Sequence, residues 1–136
     1  MDDATKEYIK KTLKMSEADL DKVPRGFDKT LARTAGWRIV AEVTEAVYCL
    51  AGLKAGDRYV FQALPTSIIA QESGPLCIRA LGPLMAPVNA MLDRLVTSRD
   101  PNKGLFTHAQ CYDPGLEHGG LGHVHFRLYA EKTGQP

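Results

Sequence analysis

The chain lacks any apolar run approaching the roughly 20 residues that span a bilayer. It has no Cys-x-x-Cys pair, which removes a thioredoxin-like dithiol and a cysteine-rich zinc knuckle. Neither sign of charge dominates: 17 Lys plus Arg stand against 16 Asp plus Glu. No long-range field therefore draws the protein onto phosphate backbones or anionic lipid, and neither nucleic acid nor a membrane is expected as a partner. The first residues, Met1-Asp2-Asp3, are acidic where a secretory signal would be basic and then apolar, so a cytoplasmic location is expected. Gly119, Gly120 and Gly122 precede a strand-like segment, and no Gly-Lys-Ser/Thr completes a phosphate cradle. Glu17, Asp19, Asp21, Glu42 and Glu45 have no companion base and read as solvated carboxylates.

What is present is ordinary for a globular protein, with 44% apolar and 24% charged residues in a 136-residue chain. That length suffices for one independent core. Residues 4–15 place Ala4, Tyr8, Ile9 and Leu13 at helical spacing, with Asp3 available as N-cap. Ser16-Glu17-Ala18-Asp19 resembles a capping arrangement for a short second helix that Pro24 would stop. Residues 25–36 carry Phe27 and Leu31 between Gly-containing frames and read as a docking linker. Residues 1–36 hold too few large apolar side chains for a core, so they form a helical extension that must lie on the rest of the domain or on a partner.

Trp37, Ile39, Ala41 and Val43 recur at every second position and so share one face, the period of a half-buried strand. Turn residues at 53–57 and a second alternation, with Tyr59 and Phe61 on one face, predict an antiparallel hairpin with Cys49 near its connecting loop. Leu76, Ala80, Leu81, Leu84, Val88, Met91, Leu92 and Leu95 follow helical spacing, and Pro83 and Pro87 suggest two helical pieces broken near Gly82-Pro83. Residues 105–111 and 123–130 are strand-like, the second with Val124, Phe126, Leu128 and Ala130 on one face and His123, His125, Arg127 and Tyr129 on the other. The order β-β-α-α-β-β predicts an α+β domain over residues 37–136, an antiparallel sheet of about four strands covered by helices on one face.

All four histidines, His108, His118, His123 and His125, fall in one 18-residue window that also contains Cys111. Imidazole and thiolate are ligands that zinc prefers, and these five residues form the candidate metal set. Their spacing matches no standard zinc signature, so an interface or solvated histidine face stands beside metal binding as the alternative. Three widely spaced cysteines, Cys49, Cys77 and Cys111, fit reduced thiols, with Cys77 read as core packing and Cys49 and Cys111 at strand ends.

The elements Val43-x5-Cys49-x-Ala51-Gly52-x-Lys54-x-Gly56-Asp57, Leu76-Cys77-x2-Ala80-Leu81 and Cys111-x-Asp113-Pro114 resemble a family of short bacterial proteins with three similarly placed cysteines, over residues 37–130. In size and helical arm the chain also looks like the small gamma-type subunit of ATP-dependent ketone carboxylases, the class that includes acetophenone carboxylase. That second resemblance implies a non-catalytic accessory subunit of a ligase, docked to larger subunits through residues 1–36, with ATP use and carboxylation on those subunits. It brings no catalytic or cofactor-binding residue onto this chain. The rival expectation from the residues themselves is a small His/Cys metal-binding protein or metalloenzyme.

Overall fold

A computed structural model describes residues 1–134. The described residues divide into two compact units, one over residues 1–33 and the other from Thr34 onward.

The first unit begins with α1 (Asp3–Leu13), whose N-cap is Asp2 rather than Asp3: the Asp2 carboxylate accepts from the Thr5 amide at 2.7 Å. Ser16 caps α2 (Glu17–Leu20) by accepting from the Asp19 amide at 3.3 Å, and its hydroxyl donates back to the Asp19 carboxylate at 2.7 Å. The helix ends well before Pro24. Where a linker was expected, Phe27–Thr34 forms a third helix, α3. Gly26, at φ 81°, and the bond from the Phe27 amide to the Pro24 carbonyl start it.

The second unit is α+β. Its strands are β1 (Trp37–Val47), β2 (Arg58–Gln62), β3 (Ser67–Ile68), β4 (His108–Gln110) and β5 (His123–Lys132). They form one antiparallel sheet in the order β3-β2-β1-β5-β4. The strand beyond the expected four is β3, a two-residue edge piece too short to show a period. The two long neighbours, β1 and β5, pair along most of their length and place the chemistry described below.

One face of the sheet presents Ile39, Ala41, Val43, Tyr59, Phe61, Phe126 and Leu128 to Ala80, Leu84, Val88 and Met91 of α4 (Ile78–Val96). Tyr59 and Phe126 stack at the centre, with ring centroids 5.7 Å apart. Tyr59 buries its hydroxyl at no cost in hydrogen bonding, donating to the Pro75 carbonyl at 2.6 Å and accepting from the Cys77 amide at 3.2 Å. Burial, above all, pushes that phenol upward in pKa.

The expected break at Gly82-Pro83 does not occur, because α4 runs unbroken through both prolines. Pro83 lacks the N–H that would bond to the Arg79 carbonyl one turn earlier. The amide of Tyr112 takes that carbonyl instead, at 3.0 Å. Gly82 makes room for the same loop: a side-chain carbon placed there would lie 2.5 Å from the Tyr112 ring. Among the described residues no helix is long and apolar enough to cross a membrane.

Candidate functional site

Alternation alone would aim Glu45 into the core, in phase with Trp37, Ile39, Ala41 and Val43. A β-bulge prevents this. The register with β5 shifts between Val43, opposite Phe126, and Glu45, opposite His125, leaving Thr44 as the extra residue. The Thr44 hydroxyl donates to the His125 carbonyl at 3.2 Å, which ties the bulge to β5. Beyond the bulge the phase is inverted. Ala46 now continues the core face, and Glu45 joins His123 and His125 on the opposite one.

The outcome is a compact three-donor group. One ligand atom from each of Glu45, His123 and His125 lies within 4.8 Å of the others, the only such group among the described residues. Glu45 Oε2 stands 3.5 Å from His123 Nε2, and the two imidazoles meet edge to face with centroids 5.2 Å apart. His123 turns its other nitrogen, Nδ1, toward the loop at Gly115, where an added side-chain carbon would lie 3.9 Å away. The histidines are half-buried and Glu45 is exposed, so one side of the group is open to solvent. These three residues could hold a metal ion.

The structure therefore brings together two of the five sequence-selected residues and adds a third. His108 lies exposed on β4 opposite Arg127, its Nδ1 bonded to the Thr107 hydroxyl at 3.0 Å. His118 lies exposed in the short turn Leu116–His118. Cys111 belongs to the core side of the sheet, where its sulfur accepts from the Val124 amide at 3.3 Å. In sequence Glu45 reads as a solvated acid; the signal that marks it is a carboxylate standing in the core phase of an otherwise regular strand.

The glycine loop before β5 is organised by one side chain. The Asp113 carboxylate accepts from the amides of Gly115, Leu121 and Gly122 at 3.0, 2.9 and 3.1 Å. The Gly115 amide foremost, then those of Gly122 and Leu121, hold the carboxyl below its ordinary pKa, and the nearby Arg79 charge adds to this. Gly122 is obligatory, since a side-chain carbon there would fall 2.0 Å from the Val47 carbonyl oxygen. The loop thus binds its own carboxylate in place of a phosphate, and it delivers His123 to the end of β5. Because the folded-state pKa is depressed, the clamp stabilises the loop fully above the unfolded-state pKa and loses that contribution as pH falls through the folded value. Protection of the Leu121 and Gly122 amides against hydrogen exchange is expected to fall across that acidic window. In Asp113→Asn it is expected to be weak at neutral pH already; full protection in that variant would contradict the clamp.

Comparisons of the chain with family models, with curated proteins and with solved structures return no match.

Proposed function

We propose that this protein binds a zinc ion through Glu45, His123 and His125, on the sheet face opposite α4. The observation that carries the reading is the bulge at Thr44, which spends an irregularity in the longest strand to set a carboxylate beside two imidazoles. Two histidines and one carboxylate are a recurrent zinc set with an open position, and such donors take Zn²⁺ more tightly than Mn²⁺ or Fe²⁺. A zinc bound there would offer its remaining position to water or to a ligand from solvent. Titration of the metal-stripped chain with zinc is expected to reach one ion per chain. Affinity should decline on acidification as protons compete for the imidazoles. Saturation far below one ion per chain would remove the reading.

A second reading, an accessory subunit of a larger enzyme such as a ketone carboxylase, is favoured by α1. Tyr8 and Leu13 are large apolar residues left 45% and 58% exposed on that helix. Residues 1–36 would then grip a larger protein subunit, forming a hetero-oligomer in which the chain need not be catalytic. Untagged protein drawn from its own host extract is expected to co-elute with a larger partner and to lose it when Tyr8 and Leu13 are both changed to Ser. Elution as a lone monomer would count against this.

A further inference from the structure

The structure assigns a second site, on the other side of the sheet: we propose that Cys49, Cys77 and Cys111 bind a monovalent copper ion as a three-sulfur set. The three residues are distant in sequence and arrive from different elements. Cys49 lies in the β1–β2 loop, Cys77 at the N-cap of α4, and Cys111 just after β4. All three line one cavity of about 350 Å³, all are half-buried, and all are free thiols.

Each thiol-bearing segment has its own support. The Cys49 loop is closed by Asp57, whose carboxylate accepts from the Lys54 amide at 3.0 Å, and by the Gly56 amide bonding to the Val43 carbonyl at 2.9 Å. The Tyr59 hydroxyl accepts from the Cys77 amide at 3.2 Å. The Val124 amide donates to the Cys111 sulfur itself, at 3.3 Å, a bond that strengthens when the sulfur becomes an anionic ligand. The Lys-x-Gly-Asp turn, the Leu-Cys element and the Cys-x-Asp-Pro element are thereby explained together, as holders of one cavity.

Chemistry selects the ion. Thiolates are soft donors and favour Cu(I), zinc and iron–sulfur clusters. Sulfur-rich structural zinc sites are almost always closed by four protein ligands. Here the rest of the wall is largely apolar, including Leu53, Ala80 and Val124, while His123, which also borders the cavity, turns Nε2 toward Glu45. With His123 engaged by Glu45 and Asp113 by its loop amides, the three sulfurs suit the low coordination number of Cu(I). Such a complex is a dianion, which Arg79 at the cavity wall and the N-terminal end of the 19-residue α4 help to offset, whereas the Asp113 carboxylate is occupied by its loop amides. As they stand, the three sulfurs do not lie within 4.8 Å of one another as a set. Cys111 is held by the Val124 amide and Cys77 makes no side-chain capping bond, so the proposal requires Cys77 and Cys49 to turn between staggered rotamers toward Cys111. Binding releases the three thiol protons to water, and no electron moves because copper enters as Cu(I).

The test uses the full chain, without oxygen, and Cu(I) supplied from a competing chelator. One Cu(I) per chain is expected, with Cys49, Cys77 and Cys111 all protected from iodoacetamide when peptides are mapped by mass. Each Cys→Ser substitution is expected to weaken Cu(I) by on the order of 100-fold, while His125→Ala leaves it unchanged and so separates this site from the zinc site. Because a Cys→Ser variant can fail to fold, the footprint on the unaltered chain decides. Equal alkylation rates with and without Cu(I), or undiminished binding by the folded triple Cys→Ser variant, would overturn the proposal.

Discussion

Phe126→Ala is expected to lower the free energy of unfolding by about 3–5 kcal/mol, the cost of emptying a large buried aromatic position. Phe126 has no solvent exposure and stacks on Tyr59, so its loss removes the middle of the sheet–helix interface. Neighbouring side chains are themselves packed against α4 and cannot collapse freely into the space. At this chain length such a loss corresponds to a fall in Tm of roughly 10–20 °C. Urea denaturation, with an unchanged slope and a lowered midpoint, checks it. A change under about 1 kcal/mol would mean that the core is not organised around this pair.

The second large effect is on metal rather than on stability. Glu45→Gln, His123→Ala and His125→Ala are each expected to weaken zinc by on the order of 100-fold or more, since each removes one of three protein ligands. These side chains lie on the face away from α4, and substitutions at partly exposed positions cost within about 0.5 kcal/mol. Unfolding curves without metal should therefore nearly superimpose. His108→Ala and His118→Ala, whose rings lie outside the group, are expected to bind zinc like the unaltered chain. Parallel loss in all five variants would point to diffuse histidine binding instead.

The strands of the hairpin, β5 and the buried face of α4 were legible because hydrophobic alternation and helical spacing report burial directly. What was not legible depended on contacts far apart in sequence. The continuity of α4 past Pro83 relies on the Tyr112 amide, 29 residues onward, to satisfy the Arg79 carbonyl. The role of Glu45 depends on one extra residue, Thr44, which no local period announces. Helix α3 is short and framed by glycine, so its two apolar residues gave little pattern to read. Cys77 reads as a buried apolar residue from its helical context, yet it stands at the helix start, beside the cavity that Cys49 and Cys111 also line. The histidine window marked the right end of β5, while the turn that isolates His118 and the register that sets His108 opposite Arg127 emerge only from folding.

X-ray absorption at the zinc edge, on the chain loaded with one equivalent of zinc, tests the central claim most directly. The expected first shell contains nitrogen and oxygen alone, at about 2.0–2.1 Å, with the multiple-scattering pattern of two imidazoles. A sulfur shell at about 2.3 Å would contradict it, placing zinc among the cysteines and leaving Glu45, His123 and His125 without the role assigned to them.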